Sequence, residues 1–365
     1  MNIITKQLNI RENSIDLSRF GNLDDILFID IETTGFTAAS SSLYLIGCAF
    51  YDGISFTCKQ FFAEKPSEES DILRQFLGFA SKYRILIHFN GNNFDIPYIQ
   101  EKCQKYGLEC NISSMIGIDL YRRISPLKNF LKLPNVKQKT LEQYLRIDRK
   151  DTYSGKDLIN VYHDYVTLFN VDALSKLLTH NSEDLQGMIN ICPMLGYSDI
   201  FTEKLTVTKV NMDRYTDMEG NEKAELVMKL KLPSVLPQEI THADYGYYFK
   251  GEGDTGILKA PVFDCELKYF YANYKDYYYL PEEDEALHKS VASFVDKDHR
   301  EQATAANCYT RVHSLFLQQW EPLFSPFYKI DYHSKNIFLE ITKERKQDRE
   351  FFSAYVSHVL NYITR

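Results

Sequence analysis

ILFIDIETTG, residues 26–35, is an apolar run rich in strand-forming residues with two acids, Asp30 and Glu32, set into it ahead of a Thr-Thr-Gly turn. Such a run, short and closed by turn residues, reads as a strand. The strand period of two then turns both acids to one face. Two carboxylates aimed together repel, and the arrangement is costly unless water or a cation compensates it. Hard divalent cations such as magnesium or manganese are bound by oxygens of this kind.

Working outward, YLIGCAFYDG (44–53) predicts a second strand, antiparallel to the first, and SFTCKQFFA (55–63) a third. SEESDILRQFLGFA (67–80) has an acidic start and apolar residues at helical spacing, and RILIHFNG (84–91) returns to a strand. FDIPYIQEKCQKYG (94–107) predicts a helix beginning near Pro97, IGIDLYRRI (116–124) a further strand or strand end, and residues 140–195 are predominantly helical in pattern. Strands alternating with helices imply an α/β domain, a mixed sheet flanked by helices.

Beyond Tyr197 the pattern changes. KLTVTKVN and AELVMKLKLP flank MEGNEK as a hairpin would, and YGYYFKG, CELKYFYANY and DYYYLP are aromatic strand candidates. Two amphipathic helices are expected after them, at 282–295 and 343–363. The domains expected are therefore 1–198 and 199–365, the second a smaller α+β domain rich in antiparallel strands. Its aromatic residues, Tyr269, Phe270, Tyr271, Tyr274, Tyr277, Tyr278 and Tyr279, could stack on unpaired bases, but core and cross-strand packing is the better reading because Tyr and Phe are good sheet formers.

Composition excludes several classes. The 365 residues are 44% hydrophobic and 25% charged, close to the average for soluble proteins. Seven cysteines without CxxC or Cys/His spacing argue against a zinc site or a disulfide framework. No apolar run is long enough for a membrane span or a secretory signal, so a cytoplasmic protein without membrane association is expected. The net charge of −8 looks wrong for holding a polyanion. A carboxylate cluster neutralised by metal would account for part of it. The segment 122–150, with Arg122, Arg123, Lys128, Lys132, Lys137, Lys139, Arg146, Arg149 and Lys150, is strongly basic and could form a strand-binding rim or an ordinary solvated surface.

Two further elements carry candidate chemistry. In IHFNGNNFDIPYI (87–99), Asp95 follows a strand and a Gly/Asn-rich turn, where α/β proteins place functional groups, although in isolation a cap on a helix begun by Pro97 is the better reading. In HNSEDLQGMINI (180–191), His180 and Asp184 share a helical face, and a histidine beside carboxylates can take a proton from water near neutral pH. A helix starting here, capped by Asn181 or Ser182, would explain the acids but not the histidine. Asp119, in IGIDLY, reads as structural.

DIETTG, HFNGNNFDIP and HNSED, in that order, resemble the motifs of the DEDD (DnaQ-like) exonucleases of the ribonuclease H-like superfamily, and LDDILFIDIETTG with YLIGC looks like the YprB-type bacterial branch. The resemblance covers roughly residues 20–195. It implies a ribonuclease H-like fold and a metal-dependent 3′ to 5′ exonuclease on single-stranded DNA or RNA, with a structure-selective endonuclease or a non-catalytic nucleic-acid-binding protein as alternatives. Asp30, Glu32, Asp95 and Asp184 would hold two divalent cations, Mg2+ or Mn2+. Asp30 would bridge them, Glu32 and Asp184 would hold the ion that activates water, and Asp95 would hold the other directly or through water. Thr33, Thr34 and Gly35 would lie against the terminal nucleotide, Asn90 and Phe94 would support the floor, and His180 would be the general base. One departure stands out: the histidine class writes HxAxxD, with His five before Asp, whereas His180 is four before Asp184. Glu183 and His163 are the nearby alternatives for the base.

Overall fold

The computed structural model describes residues 1–11, 17–151, 153 and 155–364, which divide into two units, Met1–Ser198 with Leu236–Gln238 and Asp199–Val235 with Glu239–Arg365. In the first unit the elements are β1 (Asn2–Gln7), β2 (Ile26–Thr33), β3 (Leu43–Tyr51), β4 (Phe56–Phe62), α1 (Glu69–Ala80), β5 (Ile85–His88), α2 (Asp95–Tyr106), β6 (Ile116–Asp119), α3 (Leu120–Ile124), α4 (Gln138–Tyr144), α5 (Gly155–Leu168) and α6 (Val171–Ile191), with α7 (Leu195–Thr202) crossing into the second. The sheet order is β1-β4-β3-β2-β5-β6. Hairpin-linked β2, β3 and β4 are antiparallel, whereas β5 and β6, each reached through helical connections, run parallel to β2.

β2 lies in the middle of this sheet and is covered on both faces, so its apolar residues run continuously instead of alternating. Leu27, Ile29 and Ile31 pack on one side with α1 and α2 through Ile72, Phe76 and Ile99. On the other side α5 and α6 cover β3 and β4, with Tyr44 stacked on Tyr162 at 4.1 Å. α6 begins at Val171, nine residues before His180, and is capped by Asn170, whose side chain accepts from the Asp172 amide. The alternative in which HNSED opens a helix is therefore corrected: these residues lie inside one, because the helical spacing of Leu174, Leu177 and Leu178 extends the apolar stripe upstream.

The second unit contains β7 (Thr206–Thr216), β8 (Glu222–Lys231), β9 (Ile240–Asp244), β10 (Tyr247–Glu252), β11 (Thr255–Phe270), β12 (Tyr277–Leu280), β13 (Glu285–His288), α8 (Lys289–Ala292), β14 (Glu301–Gln302), β15 (Tyr309–Gln319), β16 (Phe327–Tyr328), β17 (Ile337–Glu340) and α9 (Arg349–Ile363). β7 and β8 form the expected hairpin, and β11 pairs β8 through Thr255–Val262 and β15 through Phe263–Phe270. The helix expected at 282–295 is corrected. Asp284 adopts a left-handed φ of 55° and its amide returns to the Leu280 carbonyl, so the chain reverses and β13 pairs antiparallel with β12, leaving only the four-residue α8. The terminal helix starts at Arg349, later than expected, because the Asp348 side chain accepts from the Phe351 amide and fixes the start there. The aromatic run is half-buried and packs on itself, with Tyr271 stacked on Tyr277 at 4.5 Å. All seven cysteines are free. No helix among the described residues is long and apolar enough to cross a membrane.

Candidate metal centre

Asp30 and Glu32 leave β2 on the face crossed by α6. A register shift between Glu32 and Thr33 in the β2–β3 pair marks the point where the strand turns away. Helix and strand approach closely because Gly47 lies opposite Asp30 on β3, where a Cβ would come within 2.0 Å of the Asn181 side-chain oxygen. Asn181 uses that space: its Nδ2 donates to Asp30 Oδ2 at 2.9 Å, and its Oδ1 accepts from the buried Gln60 at 2.9 Å.

Asp95 arrives from the start of α2 and does not cap it. β5 pairs β2 only as far as Phe28, so the Ile31 amide lies beyond the ladder and donates to Asp95 Oδ1 at 3.2 Å, between the two acids of the strand. Asp119 supports this turn from β6. Its Oδ1 accepts from the Asn90 amide at 2.9 Å and from Arg122 at the start of α3, and Asn90 takes a left-handed φ of 62°. The Asn90 side chain accepts from Asn93, which places it as a turn former.

α6 supplies the rest. His180 Nε2 lies 3.2 Å from Asp184 Oδ2 and 3.7 Å from Glu32 Oε1, and its Nδ1 lies 2.6 Å from Asp151 Oδ2. Glu32, His180 and Asp184 each offer one ligand atom within 4.8 Å of the others, the only such cluster among the described residues. Asp30 and Asp95 stand just outside it, tied to Asn181 and to the Ile31 amide, yet their charges are felt throughout. Burial first, then Asp184, Glu32 and Asp95, hold the Asp30 carboxyl well above its usual range. Burial, Asp184, Asp95 and Asp151 do the same to Glu32. Burial pushes Asp95 up to about 7 against the hydrogen bonds from the backbone. Carboxylates gathered this closely with excess negative charge fit a hard divalent cation bound through oxygen with histidine at its edge.

These acids predict how stability depends on pH. In the metal-free fold Asp95 keeps a proton up to about pH 7 that the unfolded chain releases near 3.8. Stability is therefore lost as pH rises through this window, on the order of 4 kcal/mol from Asp95 alone at full ionisation. Asp30 and Glu32 are displaced in the same direction. Melts with chelator present should show a lower Tm at pH 8 than at pH 5.5, with Asp95→Asn flattening the slope. A Tm that rises over this range would contradict the crowding.

The other expected residues fall around this centre. Thr33 Oγ1 donates to the Gly35 carbonyl at 2.8 Å, and Thr34 Oγ1 accepts from the Ser42 amide at 2.8 Å, so both hydroxyls shape the turn after β2. Phe94 meets Phe36 edge-on at 6.2 Å. Phe36 is 85% exposed, and its position directly after Thr-Thr-Gly was the only sequence sign of it. Glu183 accepts from the Lys150 and Asp151 amides, which occupies it structurally. His163 lies on α5, where its ring meets that of Tyr162 at 6.4 Å. Of the basic segment, Arg122, Arg123, Lys128, Lys132, Lys137, Arg146 and Lys150 are exposed, whereas Lys139 pairs with Asp151 and Arg149 turns inward to Asp184. Asp151 is the residue that sequence reasoning missed, and Arg149 and Asn181, expected as a rim or surface cation and as a helix cap, contact Asp184 and Asp30 instead.

Residues 27–195 match the family model described as the RNase_H superfamily. No curated protein matches the chain. Among solved structures it is similar to the family B DNA polymerase of the hyperthermophilic archaeon Pyrobaculum calidifontis, at 11% identity and a TM-score of 0.38, over 69% of this chain and 35% of that one. It is also similar to E. coli Exonuclease I in complex with a dT13 oligonucleotide, at 12% identity and a TM-score of 0.31, over 56% of this chain and 54% of that one. The match thus spans little more than half of the exonuclease and about a third of the polymerase. The mixed sheet and its flanking helices make the first unit ribonuclease H-like in fold, and residues 27–195 are the part that matches the RNase_H superfamily.

Proposed function

We propose that the chain is a metal-dependent nuclease of the DEDD type that hydrolyses single-stranded DNA or RNA from the 3′ end, with residues 1–198 as the catalytic domain. The observation that supports this reading is geometric: Glu32, His180 and Asp184 cluster, Asp30 is held beside them by Asn181, and Asp95 is bound to the Ile31 amide between the two strand acids. Two divalent cations, Mg2+ or Mn2+, held by these carboxylates would neutralise the charge that gathers on a phosphodiester during displacement and make water a better nucleophile.

The chain's own side chains divide the remaining work. Asp151 fixes the His180 ring through Nδ1, so that Nε2 faces the acids and can accept a proton there. Thr33, Thr34 and Gly35 form the turn against which a terminal nucleotide would rest, with Asn90 and Phe94 beneath it. The exposed Phe36 ring offers a base a stacking surface. The exposed basic side chains between Arg122 and Lys150 would track the backbone of the strand.

Digestion of 5′-labelled single-stranded DNA and RNA with Mg2+ or Mn2+ tests the reading. A ladder of products shortening from the 3′ end is expected, abolished by chelator. Internal cuts on structured substrates would replace the exonuclease with an endonuclease on the same centre. Absence of metal-stimulated hydrolysis with enzyme in excess would remove the catalytic reading.

A further inference from the structure

The loop after α4 sends a cation into the acidic centre. Arg149 Nη2 lies 2.6 Å from Asp184 Oδ1 and 3.6 Å from Asp151 Oδ2, and Nη1 lies 3.2 Å from Glu142 Oε1. The Arg149 side chain is only 10% exposed. It is held by a built anchor: Glu142 is buried on α4, accepts from Gln138 Nε2 at 2.9 Å, and sits against Gly187 of α6, where a Cβ would come within 1.9 Å of the Glu142 oxygen. A buried glutamate, a glycine that makes room for it and a guanidinium spanning to Asp184 form a continuous device across two helices. The two oxygens of Asp184 are thereby divided, Oδ1 facing Arg149 and Oδ2 facing His180.

We propose that Arg149 is a resident cation of this centre, competing with divalent metal for Asp184 and so weakening metal binding. The inference rests on the reading of the acids as metal ligands. A guanidinium in contact with one ligand oxygen repels a divalent ion placed on the other, and in a partly dehydrated site that repulsion is poorly screened. The guanidinium stands against Oδ1, so the side of Asp184 left to a divalent ion is the one that Oδ2 turns toward His180. The same charge opposes part of the repulsion felt by Glu32. Glu142 keeps it from leaving with the solvent.

Manganese titration of the full chain, followed by the loss of the free-Mn2+ electron paramagnetic resonance signal without nucleic acid, separates the possibilities. Arg149→Met, which keeps the aliphatic stem but not the charge, is expected to bind Mn2+ about tenfold or more tightly than wild type, the direction that Coulomb repulsion requires. Arg149→Lys is expected to stay within about threefold of wild type, because the charge remains. Tightening counts only for variants whose circular dichroism and melting transition match those of wild type, since an unfolded acidic chain can also bind metal. Arg149→Met leaves Glu142 without its partner, and the double variant Arg149→Met/Glu142→Gln removes both charges of that pair and should show the same tightening. Unchanged or weaker Mn2+ binding in both Met-containing proteins overturns the competition. If wild type and these variants alike bind no Mn2+, the reading of the acids as metal ligands fails with it, whereas wild-type binding that the variants do not exceed rejects Arg149 alone.

Discussion

Asp30→Asn is expected to abolish metal-stimulated hydrolysis of labelled oligonucleotides, a loss of about four orders of magnitude or more, while raising the Tm of the metal-free protein at pH 8. The two effects have one cause. Asp30 lies where burial and the charges of Asp184, Glu32 and Asp95 all oppose its ionisation. The ionised form is therefore costly to the empty fold and useful only when a cation is bound. Asparagine is the informative replacement because its carbonyl oxygen can still accept the Nδ2–H of Asn181, which lies 2.9 Å from Asp30 Oδ2. It removes charge and leaves shape. Alanine would also leave the Asn181 amide only the carbonyl of residue 30, at 3.4 Å, and its cost would mix a lost hydrogen bond with the charge effect. Activity follows from the decay of full-length label over a range of Mn2+ concentrations, and stability from melts with chelator. Activity within about tenfold of wild type would remove Asp30 from the centre. A lower Tm for the variant would mean that the acid is compensated in the metal-free protein by a partner other than metal.

How far these residues could be read in advance depends on what carries each of them. β2 was legible because a central strand covered on both faces must be apolar throughout, and the strand period then assigns Asp30 and Glu32 to one face whatever the tertiary packing. His180 and Asp184 were legible for the corresponding reason in a helix, although the start of that helix was not: the polar HNSED imitates a helix start, and the real one is at Val171, capped by Asn170. Asp95 was visible, but its partner was not, because an amide left over where β5 ends is a matter of register. Arg149 and Asp151 were hidden for a different reason. They come from an irregular connection, where no period relates side chains to a face, and in the text they belong to a basic run that reads as surface. The traces left in the sequence by the framework of the centre are glycines. Gly47 and Gly187 occupy a strand and a helix interior where glycine is costly, and each makes room for a side chain of the centre's framework, Asn181 and Glu142. Between 282 and 295 local pattern misled, since an acidic stretch with apolar residues at helical spacing is cut by the left-handed turn at Asp284 and captured by β12.

His180→Ala is expected to slow hydrolysis by roughly two to four orders of magnitude, the range for loss of a general base. The geometry sharpens this into a test of role. His180 Nε2 is 3.2 Å from Asp184 Oδ2, near enough to be either a metal ligand or a proton acceptor for water held by the acids. Its Nδ1 is 2.6 Å from Asp151, whose own carboxyl is held below the usual carboxylate range against the cost of its burial, by His180, the Tyr153 amide and Lys139. An ionised Asp151 has no proton to give, so Nδ1–H is the donor and the lone pair of the neutral ring is on Nε2. That tautomer suits a base. If His180 acts in that way, the alanine variant loses rate at saturating Mn2+ while the Mn2+ concentration for half-maximal rate changes by less than about threefold. A ligand role would instead move the metal requirement and leave much of the saturated rate. Asp151→Asn can still accept from Nδ1–H but lacks the charge that favours the protonated ring during transfer, so a smaller loss, about 10- to 100-fold, is expected. Because Asp151 would act only through His180, the double variant should be no slower than His180→Ala alone. Fully additive losses would separate the two residues and leave the histidine's orientation, at its spacing of four from Asp184, without a catalytic purpose.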